Sequence, residues 1–300
     1  MNGHSGYIML DVGGTFIKAG VMGAEGVVCA GSLTTVPVRS DGTQEEIADA
    51  FGEAMRTETG FLEREGIRLN GVGIASPGPF DYANGIPLME HKFKSIRGID
   101  LRGMIREMPG VGGDVPVVFA NDVVAVLLGE LSSGNAVGYS GVAVVTLGTG
   151  LGFAFSRNDE VLLSPLGSPA VAIYNLPYSD GILEDYVSKR GILKVYGDLG
   201  GDLSGGVTVK EVAARADKGE DAALRAFDSA GTALASALGP VLSENGIECL
   251  LFGGQISRSF HLMERSLRSG LHGGPLLTIG PVKSIDDSAF YGLHRCLSRA

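Results

Sequence analysis

Two short stretches of this chain pair residue types that suit phosphate chemistry. In Leu10-Asp11-Val12-Gly13-Gly14-Thr15-Phe16-Ile17-Lys18 an apolar run ends in a carboxylate, a Gly-Gly-Thr turn follows, and a cation stands beyond it. Glycines there permit positive φ and leave backbone N–H groups bare, and bare N–H groups in a concave turn attract phosphate. A carboxylate beside a phosphate is repelled unless a cation lies between them. Asp11 beside Gly13, Gly14 and Thr15 therefore points to a Mg²⁺-nucleotide. Gly148-Thr149-Gly150 repeats the turn after Leu147. Either stretch alone also reads as an ordinary glycine hairpin. A third feature, Asn121-Asp122, follows the apolar run 115–120 and precedes an apolar helix. It reads as a helix N-cap, or as a carboxylate at a strand's carboxyl end aimed at a ligand.

The elements that position these residues follow from hydrophobic spacing. Residues 7–10 read as a strand, a second runs through Val21, and a third covers 27–36. Thr43 with Glu46 forms a capping box, and Ile47, Ala50, Phe51, Ala54 and Met55 make one buried stripe of the helix that follows. The buried strand 71–75 ends in a rigid loop, Ser76-Pro77-Gly78-Pro79-Phe80-Asp81, where strand-end loops of α/β sheets meet ligands. Ser76 and Pro77 disfavour a dinucleotide fingerprint, and Ile74 a nucleophile elbow. Asp100 opens a helix carrying Leu101, Met104 and Ile105.

Strand 141–147, the Gly148–Gly150 turn, strand 151–155 and the run 161–163 then repeat the opening rhythm. Two copies in register predict two similar α/β domains, with a nucleotide in the cleft between their Gly/Thr turns. Residues 164–180 are irregular, with Pro165, Pro169 and Pro177. A helix from Ile182 carries Glu184, Thr208 with Glu211 caps another, and a long helix over 222–243 is expected to kink at Pro240. Strand 249–252 leads into Gly253-Gly254-Gln255, a glycine turn that lets a planar group approach the backbone. A last strand over 276–282 and a helix over 288–297 complete the reading. The expected domains are 1–120 with 286–300, and 121–285.

Composition bounds the partners. Of 300 residues 44% are hydrophobic, enough for substantial cores, and 47 are glycine without a collagen-like period. The formal net charge of −10, with no basic cluster, argues against nucleic acid or an anionic membrane. Three scattered cysteines exclude a disulfide framework or a CxxC metal site. No leader-like segment and no apolar run of ~20 residues stand out, so a soluble, cytoplasmic protein is expected.

The ordered set of motifs resembles the ROK family of sugar kinases (repressors, open reading frames and kinases), within the actin/hexokinase-like ATPase superfamily. The matching pieces are 11–20, 73–81, Asn121-Asp122 with Gly129-Glu130, 147–152, 182–188 and 252–257. The resemblance implies two actin-like (ribonuclease H-like) α/β domains with ATP and sugar meeting between them, and a homodimer. By resemblance, Asp11 helps hold Mg²⁺, directly or through water, while Gly13, Gly14, Thr15 and Lys18 lie along the phosphates. Gly148, Thr149 and Gly150 form the second phosphate turn, and Gly253, Gly254 and Gln255 flank the adenosine. Asn121 orients the sugar, Asp122 is the base on the accepting hydroxyl, Glu184 hydrogen-bonds sugar hydroxyls, and Ser76 and Gly78 belong to the substrate side.

The sequence departs from the family pattern at one place. Where the family carries Gly-Glu-x-Gly-His and then a cysteine-rich zinc loop, this chain has Ser164-Pro165-Leu166-Gly167-Ser168 and no cysteines. No structural zinc site is expected. Pro165 and Ser168 replace a Glu and a His that contact sugar, so either the sugar differs or Tyr174, Asn175 or Asp180 fills the gap. The leading expectation is an ATP-dependent sugar kinase. The alternatives are a non-catalytic sugar sensor acting through a protein partner and an ATPase without a sugar substrate. With about ten residues ahead of Asp11, no helix-turn-helix for DNA is expected.

Overall fold

The computed structural model describes residues 4–271 and 278–299. The chain divides into two compact units, Met1–Ser132 with Leu163–Pro169 and Asp287–Ala300, and Ser133–Leu162 with Ala170–Asp286. The first contains β1 (Ser5–Val12), β2 (Phe16–Gly23), β3 (Thr34–Pro37), α1 (Gln44–Glu65), β4 (Arg68–Ser76), β5 (Phe80–Asp81), β6 (Ile86–Pro87), α2 (Leu101–Arg106), β7 (Val117–Asn121) and α3 (Asp122–Ser133). Its main sheet has the order β3-β2-β1-β4-β7. The first three strands form an antiparallel meander, and β4 and β7 add in parallel.

Strand side chains alternate between the two faces of this sheet. Ile8, Leu10 and Val12 join Ile47, Phe51 and Met55 of α1 in one core. Met9 joins Ala75, Ala120, Ala125 and Phe290 in the other, beneath α3 and the closing helix Ser288–Leu297. Period two puts Asp11 on the Met9 face, the side on which α3 packs. The approach of α3 to the closing helix depends on glycine: a Cβ on Gly129 would stand 2.2 Å from the Ser288 carbonyl oxygen, and one on Gly292 1.8 Å from that of Ala125. This contact keeps Asn121 and Asp122 in the first unit, whereas the sequence places the boundary before them.

The capping box of α1 is formed: Thr43 Oγ1 accepts from Glu46 N at 3.1 Å, and Glu46 Oε2 accepts from Thr43 N at 2.7 Å. The third strand is shorter than its apolar run. Ser32 Oγ accepts from Val21 N (3.0 Å) and donates to the Cys29 carbonyl (2.8 Å), taking the place of ladder bonds, so regular pairing resumes only at Thr34.

The second unit repeats the topology. It contains β8 (Gly141–Leu147), β9 (Leu151–Arg157), β10 (Glu160–Val161), β11 (Pro177–Tyr178), β12 (Gly181–Ile182), α4 (Glu184–Val187), α5 (Lys189–Asp198), α6 (Val209–Ala216), α7 (Asp221–Glu244), β13 (Cys249–Gly253), a 3-10 helix (Gln255–Leu262), α8 (Glu264–Gly270) and β14 (Thr278–Pro281). The order β10-β9-β8-β13-β14 matches the first sheet strand for strand, meander first and parallel strands after. Leu276 and Leu277, where the sequence starts the last strand, lie outside the described residues. Helix α7 continues unbroken through Pro240, and the Thr208–Glu211 capping box is formed. The helix expected from Ile182 is the single turn α4, followed by α5, which Ser188 caps. Among the described residues no helix is long and apolar enough to cross a membrane.

Candidate active site

In the first unit, Asp11 lies near the end of β1 directly opposite Lys18 on β2. Its carboxyl is raised to about 6, chiefly by burial, with Lys18 opposing the rise and the charge of Asp122 adding to it. The turn between the strands is closed by its own first N–H, since Gly13 N donates to the Phe16 carbonyl at 2.9 Å. Neither Gly13 nor Gly14 adopts positive φ, contrary to the reason for glycine offered by the sequence. Space is tight at position 13: a Cβ there would stand 3.1 Å from the Phe16 oxygen. The segment after β3 braces the turn, with Val38 N donating to the Thr15 carbonyl (2.9 Å) and Ser40 N to that of Gly14 (3.3 Å).

Asn121 ends β7 and Asp122 begins α3. Asp122 Oδ1 accepts from Val123 N at 2.8 Å. This satisfies an N–H of the helix's first turn and also fixes the carboxylate. Burial raises the Asp122 carboxyl above its usual range; the Val123 N–H and the Lys92 ammonium act against that. Asn121 is 6% exposed, and its Nδ2 donates to Tyr82 Oη at 3.0 Å. Its Oδ1 is buried with no hydrogen-bond partner among the described residues. Tyr82 Oη donates to the Ser76 carbonyl at 2.9 Å and is hydrogen-bonded by Ser168 as well. A Cβ on Gly78 would stand 3.4 Å from both Ser168 Oγ and Tyr82 Oη, and 3.8 Å from Asn121 Nδ2. Ser76, Gly78, Asn121 and Asp122 are thus gathered at the carboxyl ends of β4 and β7.

In the second unit, Gly148 N donates to the Gly150 carbonyl (3.1 Å), the counterpart of the Gly13 bond. Neither Gly148 nor Gly150 has positive φ, and Thr149 is exposed. Glu184, at the start of α4, is tied to this turn: its Oε2 accepts from Leu151 N at 2.9 Å and stands 2.9 Å from a Cβ on Gly150. Lys189 N donates to the Gly148 carbonyl (2.8 Å), so α4 and α5 hold the turn together. The Gly253-Gly254 turn lies beside it. Gly254 has φ of 79°, and a Cβ there would meet the Leu147 oxygen at 2.3 Å. The Gln255 side chain joins a polar group with Arg258 and Asp286, accepting from Arg258 Nε at 2.9 Å.

Two glycine turns, each joining the first two strands of a duplicated sheet, accompany a fixed carboxylate on the helix after β7. The sequence pattern of the ROK family matches residues 7–169. The chain belongs to the ROK family. The matched span takes in the first unit's turn, Asn121-Asp122 and the Gly148–Gly150 turn. A glucokinase of Streptomyces coelicolor is 30% identical over 197 residues, which take in 62% of this chain and 57% of that relative; the match spans little more than half the relative's length. A glucokinase of Thermotoga maritima is 26% identical over 281 residues, 87% of this chain and 85% of the relative. The solved ROK glucokinase of Streptomyces griseus, in complex with glucose and AMPPNP, superposes with a TM-score of 0.82 at 22% identity. It covers 99% of this chain and 100% of its own. These likenesses establish the ROK actin-like ATPase fold: mixed α/β, with two sheets of five strands.

Tyr82 and Lys92 are absent from the sequence-based candidate set, and Ser168 is in it only as the replacement of a sugar-contacting His. Tyr82 and Ser168 enter through the Asn121 network. Lys92 enters because its Cδ and Cε lie 3.9 and 4.0 Å from a Cβ on Gly14, and its charge acts on Asp122. The available signal for Lys92 was its neighbour: Phe93 is a large apolar residue inside the polar run 91–98, buried to 1%. Tyr174 and Asn175 are exposed, and Asp180 accepts from the Tyr186 hydroxyl. It is Ser168 itself that reaches the Asn121 network. Among the described residues no cluster of three His, Cys, Asp or Glu side chains forms a metal site.

Proposed function

We propose that this ROK protein is an ATP-dependent kinase that transfers the γ-phosphoryl group of ATP to a hydroxyl of a hexose or a related sugar. The observation that carries the reading is Asp122, a carboxylate fixed by the Val123 N–H at the end of β7 and electrostatically coupled to Asp11 beside the glycine turn. Phosphoryl transfer asks little covalent chemistry of a protein. It needs aligned oxygens, charge neutralisation, and one carboxylate within reach of the acceptor proton. Asp122 takes the proton of the acceptor hydroxyl as the new O–P bond forms and the bond to the ADP leaving oxygen breaks. Asn121 holds the sugar through its buried Oδ1, with Ser76 and Gly78 beside it, and Glu184 contacts a sugar hydroxyl.

On the donor side, the N–H groups of Gly14 and Thr15 and the Lys18 ammonium bind phosphate, Gly148, Thr149 and Gly150 form the second phosphate turn, and Gly253, Gly254 and Gln255 flank the adenosine. Mg²⁺ is characteristically held by one or two carboxylates plus substrate phosphates. Asp11 fits that donor set, and the burial that raises its pKa disfavours its charge in a way a bound cation offsets. When bound, the metal neutralises phosphate charge.

The test is a coupled ADP-release assay across hexoses and N-acetylhexosamines, with Asp122→Asn as control. Sugar-dependent ADP release by the wild type, lowered at least about a hundredfold in the variant, is expected from the loss of a general base. A wild-type rate no higher than the variant's on every sugar overturns the reading.

A further inference from the structure

We propose that Tyr82 is a positioning residue that dictates which face Asn121 shows to the acceptor, and so makes the site select a molecule that donates a hydroxyl hydrogen there. The inference rests on the sugar-kinase reading and deepens its acceptor side.

The argument is a count of hydrogen-bonding capacity. A phenolic hydroxyl offers one donor and two acceptor lone pairs. The Tyr82 hydrogen is committed to the Ser76 carbonyl at 2.9 Å, and its oxygen accepts from Asn121 Nδ2 at 3.0 Å and from Ser168. With its one hydrogen spent, Tyr82 can only accept from the amide. A flipped Asn121 would set an oxygen against an oxygen. The amide is therefore locked with Nδ2 on Tyr82 and Oδ1 on the opposite side, buried and without a partner among the described residues. A buried, unpaired acceptor costs free energy that a ligand donor recovers.

The supports are rigid. Tyr82 is 5% exposed and stacks on Phe80 at 4.8 Å, its phenol is pushed well above the ordinary range by burial, and its backbone N donates to the Leu166 carbonyl at 3.1 Å. The segment Ser164–Ser168 thus serves as the clamp on Tyr82. Its serine supplies a neutral donor. The acceptor class is accordingly a neutral polyol or sugar with a free hydroxyl at the Asn121 contact, and its deoxy analogue should be rejected because it leaves Oδ1 unpaired.

Tyr82→Phe keeps the ring and removes the hydroxyl, which frees the amide to rotate. Two measurements on the full chain test this. The first is hydrogen exchange of the Asn121 side-chain amide, assigned by its loss in Asn121→Asp. Protection in the wild type and roughly tenfold faster exchange in Tyr82→Phe is expected; equal exchange overturns the lock. The second is calorimetric affinity for the preferred hexose and its monodeoxy series, alongside KM for ATP. The expected result is about tenfold weaker hexose binding, a smaller penalty for the one deoxy sugar that lacks the contacting hydroxyl, and unchanged KM for ATP. Thermal melting monitors folding of the variant. Unchanged hexose affinity, or parallel loss of ATP affinity, overturns the positioning role. A wild type that binds no sugar of the panel overturns the kinase reading instead and removes the acceptor role of Asn121, while the exchange measurement still decides the lock.

Discussion

Lys92 places a cation where two negative demands meet, over Gly14 on one side and toward Asp122 on the other. Its backbone is set by Phe93, a buried residue in the left-handed region (φ 51°), a conformation that costs a non-glycine residue on the order of 1 kcal/mol and persists only where the surroundings enforce it. Preorganised charge at a phosphate is worth more than charge recruited from solvent. Lys92→Met is therefore expected to lower kcat by roughly tenfold or more in the ADP-release assay, with little change in the affinity for sugar. At this scale the sequence was legible where type and spacing coincide. Asp11 stands near the end of β1, and Asn121 ends β7 with Asp122 opening α3. Tyr82 and Lys92 were not legible, because their roles come from contacts across the fold (Tyr82 with Asn121, Lys92 with Gly14) that no local pattern encodes. The glycines of both turns were found for an incomplete reason. They relieve crowding at Gly13 and Gly150 rather than supply positive φ.

At the scale of the element, helix α1 shows how a stripe can conceal a buried polar group. The stripe Ile47, Ala50, Phe51, Ala54, Met55 continues through Glu58, which is fully buried, accepts from Thr34 Oγ1 at 2.6 Å and has an Oε2 without a hydrogen-bond partner among the described residues. Burial pushes its carboxyl up to about 7 from an ordinary 4.5, against the pull of Thr34 and Arg64. The folded state therefore holds a proton that the unfolded state has released between those values. The stabilisation is complete below about 4.5, falls as pH rises, and is gone above about 7. Glu58→Gln keeps the Thr34 bond without the charge. It should raise stability by roughly 1–3 kcal/mol at pH 8 and flatten the pH dependence, measured by urea unfolding between pH 5 and 8. The capping boxes at Thr43 and Thr208 were readable because capping is local. The third strand was overextended because the apolar pattern hides the interruption at Ser32, after which pairing with β2 resumes only at Thr34.

At the scale of the molecule, the duplication visible in the two Gly/Thr turns is carried through both sheets, whose strand orders correspond one to one. A turn, its flanking strands and the apolar runs after it are short-range features, so this much was open to reading. The unit boundary was not. It depends on the glycine-mediated approach of α3 to the closing helix, a contact between residues more than 150 positions apart. The most direct test of phosphoryl transfer by Asp122 is to follow the γ-phosphorus of ATP by ³¹P NMR in the presence of the sugar panel. Appearance of a sugar phosphate ester matching the loss of the γ signal, with Asp122→Asn folded but silent, is the expected result. Release of inorganic phosphate alone, or equal ester formation by the variant, would contradict it.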